Sequence, residues 1–289
     1  MEDLKEKYNA KLIDVFNAFI TICENNNLSY YCLGGTLIGA IRHKGMIPWD
    51  DDIDVAMPRV DYDKLMSLKF ESNFLYEIVS MDNHLHYYLP YAKFCDKNST
   101  LLEHSDIPCV LGLFIDIFPL DGANNNLIIR KSNLLDFKRT ANKLAITSKI
   151  WKENYKSVIR SLFKFQLRTA WNEFILSFNK DSKRKKVIGQ LNQLMTKYEF
   201  NHSTIIGNYG GMWGIKEFWD KSWFEDYKIV DFDRLQVRIP IGFHQLLTHV
   251  YGDYMQLPPI EKRVTHHHLA FLDLYNRRSI EYIMDHLKK

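Results

Sequence analysis

The sequence predicts an α/β (α+β) chain: a mixed-sheet core packed by helices, with a helical lobe appended. Three observations predict it. Up to residue 123, short β-branched and aromatic runs alternate with stretches of helical spacing, punctuated by Gly, Pro and Asp-Asn. From 127 to about 198 the spacing is helical and the charge strongly basic, and from 201 onward short strand and helix signals return around a loop rich in Gly and aromatics. At 289 residues, 46% hydrophobic and 14% aromatic, the chain buries a substantial core and is not disordered.

Residues 3–26 carry Leu4, Tyr8, Leu12, Val15, Phe16 and Phe19 at helical spacing, and the run Asn25, Asn26, Asn27 stops that helix. A strand over 29–33 leads into Gly34 and Gly35, which suit a tight turn whose N–H groups approach an anion closely, and a helix follows over 36–42. After a loop marked by Gly45 and Pro48, a strand over 52–57 puts Asp52 and Asp54 on one face and Ile53 and Val55 on the other. Two carboxylates side by side repel unless a cation joins them, so magnesium, or else manganese, is the natural guest. An EF-hand calcium loop is excluded: with Asp50 as its first position, Val55 stands where the turn needs Gly and Asp61 where the loop needs Glu.

Pro58 opens a helix to about residue 68, and strands follow over 75–81, 88–94, 100–103 and 110–118. The last of these sets Asp116 among apolar neighbours, whereas Asp121, between Pro119 and Gly122, is expected in a turn. In the helical region one stripe runs from Ile159 through Leu162, Phe163, Leu167, Ala170, Trp171 and Phe174 to Ile175 and Phe178; core packing is its simplest explanation, with membrane contact as the alternative. Segment 207–214 is either a loop that approaches a ligand or an ordinary surface loop, and most of Trp213, Trp219 and Trp223 are expected in the core. A short strand near 237–239, a helix after Pro240 and a closing helix complete the chain. His266, His267 and His268 are adjacent and cannot all face one metal from a helix, so they are read as surface or substrate contacts and not as zinc ligands.

The net charge of +3 is unevenly spread, with seventeen Lys and Arg against four Asp and Glu between 130 and 197. No recognised nucleic-acid module accompanies that run, so an anionic lipid surface or a polyanionic glycan is the expected partner. The first residues lack a basic, then apolar, leader, and no apolar run approaches the roughly 20 residues that span a bilayer, so a cytoplasmic protein, soluble or peripheral at the inner leaflet, is expected. Cysteines 23, 32, 95 and 109 show no paired spacing and are expected to be free thiols.

Glycine turn, helix, loop and Asp-x-Asp strand, in that order, follow the general plan of the nucleotidyltransferase fold. The run GGTLIGAIRHKGMIPWDDDIDVAMPR over 34–59 resembles the signature block of the LicD family, bacterial phosphocholine transferases that share a domain with fukutin and fukutin-related protein. YAKFCDKNSTLLE (91–103), GLFIDIFPLDG (112–122) and YGDYMQLPPIEKR (251–263) match in the same way, so the resemblance spans most of the chain. It implies a nucleotidyltransferase-like catalytic core over 1–123, a basic helical lobe over 124–200 and a C-terminal segment over 201–289 that completes the substrate site. The implied reaction passes a phosphoalcohol from a CDP-activated donor, typically CDP-choline, to a sugar hydroxyl of a lipid-linked envelope glycan and releases CMP. Asp52 and Asp54 would hold magnesium on the diphosphate, and Asp116, the third carboxylate, would ligate metal, accept the hydroxyl proton, or both. Gly34, Gly35 and Thr36 would contact phosphate, and Arg42, Lys93 and Arg263 are candidate phosphate clamps on charge grounds. A choline headgroup has no hydrogen-bond donors, so its pocket should be aromatic, with Trp49 and Trp213 as candidates. Two alternatives stay open: transfer of another alcohol phosphate such as ribitol phosphate, through a polar pocket, and a non-catalytic nucleotide- or glycan-binding module, against which the intact set of three Asp speaks.

Overall fold

The computed structural model describes residues 2–149, 151–164, 166–167, 170–171, 174, 180–265 and 269–288. Helix α1 (Glu2–Asn25) buries Leu12, Val15, Phe16 and Phe19 against the sheet. Phe16 and Phe19 meet Tyr30, Phe94 and Phe232 edge-on, the arrangement ring quadrupoles favour. Strands β1 (Tyr31–Cys32), β2 (Asp54–Pro58), β3 (Tyr76–Val79), β4 (Ala92–Asp96) and β6 (Phe114–Ala123) lie side by side in the order β1-β2-β6-β4-β3. The β2–β6 pair at the centre is parallel, and the other pairs are antiparallel. Between them α2 (Gly34–Arg42) and α3 (Arg59–Ser67) flank β2, and β5 (Thr100–Leu102) pairs away from the main sheet with β11 (Phe271–Asp273).

Strand β6 is ten residues long and buried throughout, and its far end pairs with β7 (Ile205–Gly207), which continues to β8 (Phe218–Asp220). Asp121 is therefore not in a turn: it pairs with Gly207 and is 1% exposed. Pro119 is tolerated because Asp116 N–H points to β2, so strand alternation aims the position of the missing proline N–H to the other side. There β4 has ended at Ile117 and β7 has yet to begin at Asp121, so no ladder bond is lost. Strand β4 starts at Ala92 and not at residue 88, since Pro90 cannot donate to a ladder.

The C-terminal third thus extends the core's own sheet. It adds the hairpin β9 (Tyr227–Phe232) and β10 (Leu235–Pro240), whose tip residue Asp233, at φ +52°, accepts from Met46 N–H and fixes the loop after α2. Helices α7 (Phe243–Tyr251) and α8 (Ile280–His286) follow.

The helical region comprises α4 (Leu127–Ser148), capped by the Asn126 side chain on Ile128 and Ile129 N–H, α5 (Trp151–Phe163) and α6 (Lys180–Met195). Arg184 of α6 is buried and donates to Ser148 Oγ and to the carbonyls of Met81, His84 and Tyr87, pinning this region to the core. Most described residues of the apolar stripe are not core. Phe163, Leu167, Trp171 and Phe174 are 81, 67, 62 and 42% exposed, because the segment packs inward through Ser161 and Ala170. Ile175 and Phe178 of that stripe, and His266, His267 and His268, lie outside the described residues. All four cysteines are buried free thiols, and no described helix is long and apolar enough to cross a membrane.

Candidate active site

The parallel register sets Asp54, the first residue of β2, directly beside Asp116 of β6, on strands about 4.8 Å apart. Asp116 N–H donates to Ile53 O at 2.8 Å, which locks that register. Asp52 lies in the extended lead-in and not in the strand, and its charge acts on both acids. Carboxylate oxygens of Asp50, Asp51 and Asp52 approach within 4.8 Å of one another, so a fourth and fifth acid join the group. Burial, followed by Asp52, Asp116 and Asp50, holds the Asp54 carboxyl well above the usual carboxylate range. Burial and Asp52 push Asp50 up to about 8, and Asp116 rises to about 6, where burial outweighs the lowering by Lys93. An all-oxygen set of crowded, mutually repelling carboxylates without Cys or His suits a hard divalent cation such as magnesium or manganese.

Helix α2 explains how the acids come so close to its first turn. The helix starts at Gly34, with φ +57°, and not at Thr36. A Cβ on Gly34 would meet Asp54 Oδ2 at 2.7 Å, and one on Gly35 would meet Asp50 Oδ2 at 2.2 Å, so the space the glycines leave is filled by carboxylates. Thr36 is 4% exposed, and its hydroxyl accepts the Asp54 N–H at 2.8 Å. These three residues seat the acids on a helix N-terminus, where the helix dipole favours negative charge.

Lys93 is also placed differently from a phosphate clamp on an open cleft. It is 1% exposed, donates to Asp116 Oδ1 at 2.7 Å, stands 3.8 Å from Glu103 and lies over the Phe114 ring. Glu103 in turn accepts from Tyr88 Oη at 2.7 Å. Arg42 and Arg263 do gather beside the acidic loop. Arg42 donates to the carbonyls of Tyr254 and Gln256, and Arg263 donates to Pro258 O. The Arg263 guanidinium stands 5.3 Å above the Trp49 ring, so that one face of Trp49 is already covered. Trp213 is half-exposed and meets Tyr251 edge-on at 5.2 Å. Tyr251 is close enough to Asp54 and Asp50 that, after burial, their charges help raise its hydroxyl.

Sequence reasoning did not single out Asp50, Glu103, Tyr91, Tyr251 or Glu217. Glu103, Tyr91 and Tyr251 sit inside the quoted motif blocks, which was the available signal, whereas nothing in the sequence around Glu217 marks it.

Residues 27–147 match the family described as LicD/FKTN/FKRP, nucleotidyltransferase domain. Over 261 residues, 88% of this chain and 92% of the relative, the chain is 33% identical to the lipopolysaccharide cholinephosphotransferase LicD of Haemophilus influenzae (strain ATCC 51907 / DSM 11121 / KW20 / Rd). The chain belongs to the LicD family. It is a LicD-family phosphotransferase, and the α+β architecture with its central mixed sheet agrees with that assignment. Shorter matches join it to an uncharacterised protein of Rickettsia typhi (strain ATCC VR-144 / Wilmington), 36% identical over 58 residues, 20% of this chain and 19% of that one. Another uncharacterised protein, of Rickettsia prowazekii (strain Madrid E), is 50% identical over 36 residues, 12% of this chain and 14% of that one.

Proposed function

We propose that this LicD-family chain transfers phosphocholine, or a similar alcohol phosphate, from a CDP-activated donor to a sugar hydroxyl of a cell-envelope glycan and releases CMP. One observation carries the reading: Asp54 and Asp116 stand in register on parallel strands, and the charge of Asp52 acts on both. The near-full-length likeness to a lipopolysaccharide cholinephosphotransferase supplies the direction of the chemistry.

Asp52, Asp54 and Asp116 would hold magnesium or manganese, which would supply positive charge to offset that of the donor diphosphate. Gly34, Gly35 and Thr36 keep those acids seated on α2. Asp116, held in place by Lys93, is the group placed to accept the proton of the attacking sugar hydroxyl as the new O–P bond forms and the bond to CMP breaks. Arg42 and Arg263 face the diphosphate and offset its charge. Trp213 with Tyr251 takes the headgroup in preference to Trp49, because Arg263 already uses a face of Trp49.

The protein works in the cytoplasm on a lipid-linked acceptor. Peripheral contact with an anionic inner leaflet is favoured by the outward stripe of Phe163, Leu167 and Trp171, in a segment that has four basic and no acidic residues between 154 and 172. Incubation with magnesium and a panel of CDP-alcohols, including CDP-choline and CDP-ribitol, tests the donor. CMP release is expected from CDP-choline first. Release from CDP-ribitol alone replaces the headgroup, and release from none defeats the transferase reading.

A further inference from the structure

Glu217 lies in a short helical turn (Gly214–Glu217) after the Gly-rich segment and is 5% exposed. Its two carboxylate oxygens are both used on that segment. Oε1 accepts from Trp213 N–H at 2.8 Å, and Oε2 accepts from Asn208 Nδ2 at 2.8 Å. Asn208, 2% exposed, accepts Gly210 N–H on its Oδ1, and its own N–H donates to Glu217 O. Gly211 completes the arrangement: a Cβ there would fall 1.7 Å from Glu217 Oε2, so only glycine lets the loop close over the carboxylate. Burying a carboxylate is costly, and burial pushes this one up to about 7, so its ionised form depends on the two donors that the loop supplies.

The loop so held reaches the acid cluster on two sides. Gly210 packs on Tyr91, with the position of a Cβ 2.9 Å from the ring, and Lys93 Nζ stands 5.9 Å from the same ring while it holds Asp116. At the other end, Trp213 meets Tyr251 edge-on at 5.2 Å, and burial, followed by the charges of Asp54, Glu217 and Asp50, raises the Tyr251 hydroxyl. We propose that Glu217 is a positioning residue for donor specificity: it fixes the 208–213 loop so that Trp213 and Tyr251 form the wall on which the alcohol headgroup rests. The loop brace stands on geometry alone, whereas the headgroup role rests on the donor reading above.

The test compares Glu217→Gln, Gly211→Ala and the reciprocal swap Asn208→Asp with Glu217→Gln. In the single Glu217→Gln variant an amide meets the Asn208 amide donor to donor, and Asn208 cannot flip without losing Gly210 N–H. In the swap, the carboxylate introduced at position 208 accepts from Gly210 N–H and from the amide introduced at position 217. That amide's oxygen still accepts from Trp213 N–H, so all three side-chain bonds return with one polarity reversed. Hydrogen exchange of the 208–213 amides should accelerate by about tenfold or more in Glu217→Gln and Gly211→Ala and recover in the swap. The KM for CDP-choline should rise about tenfold in the same two variants, with kcat and inhibition by CMP within roughly twofold, and recover in the swap. Unchanged loop exchange, absence of rescue, or a fall in kcat with KM unchanged overturns the proposal. Expected exchange behaviour in a wild-type protein that consumes no CDP-alcohol overturns the headgroup role and the donor reading together, and leaves the brace.

Discussion

Asp116 and Asp121 share one buried strand, yet their partners give them different work. Asp116 sits beside Asp54 and Lys93, whereas Asp121 forms a two-pronged pair with Arg59, at 2.7 and 2.6 Å. Asp116→Asn should reduce CMP release by the folded fraction by on the order of a hundredfold or more, as loss of a general base does. It should also lower the melting temperature, because buried Lys93 then keeps only Glu103, 3.8 Å away, as a carboxylate partner. Asp121→Ala should destabilise the fold by about 3 kcal/mol, because it takes the two-pronged partner from a mostly buried guanidinium and leaves it only the exposed Asp63, 3.3 Å away, and should leave the folded fraction active. Urea titration and CMP release on the two variants separate these outcomes, and an active Asp116→Asn beside a stable, inactive Asp121→Ala would reverse the assignment. At this scale the grouping of Asp54 with Asp116 was legible because charge in an apolar strand stands out in a sequence, and that of Asp52 because it stands two residues before Asp54, although it lies ahead of the strand and not in it. The partner of Lys93 was not, since a cation's sequence carries no sign of which carboxylate its strand register will bring alongside.

Elements were legible where local chemistry decides them and illegible where distant packing does. Helix α1 and the strand–helix–strand order around the acids follow from periodicity and glycine, whereas the strand that holds Asp121 overrides a Pro and a Gly that read as a turn. The basic helical region shows the same limit: 3.6-residue spacing reveals that one face is apolar and says nothing of what covers it, so most described residues of a stripe read as core lie exposed. Arg184 also sits in a run of cations read as a contact for an anionic lipid surface or a polyanionic glycan, and it is buried as a pin to the core. In liposome co-sedimentation the protein should bind anionic vesicles, fail to bind neutral ones and lose binding in high salt, since basic residues near such a surface contribute about 1 kcal/mol each. Phe163→Ser with Trp171→Ser, or neutralisation of Lys185 and Lys186 with Arg184 left intact, should weaken that binding. Binding that ignores lipid charge would remove the membrane contact.

For the whole molecule, the sheet order β1-β2-β6-β4-β3 with β7 and β8 added to the end of β6 was not readable, because neighbours in a sheet are chosen by long-range pairing and not by the residues within a strand. That order is nonetheless what concentrates charge at one end of the parallel pair, and it has a global consequence. Asp50 and Asp116, at about 8 and about 6 in the folded chain, lie above the roughly 3.9 of an unfolded Asp, so between these values the folded state binds more protons than the unfolded one. Stability of the metal-free protein should then be greatest near pH 4 as far as these groups decide it, and fall as pH rises toward 8. Added magnesium should raise the melting temperature more at pH 8 than at pH 5, and a flat response to both would mean that the acids neither repel one another nor share a cation. The most direct test of the central claim, that these acids carry metal-dependent transfer, is CMP release from CDP-choline by the wild type and Asp54→Asn, each with magnesium and with excess chelator. Release by the wild type with magnesium alone is the predicted result; equal release by Asp54→Asn, or in chelator, would contradict it.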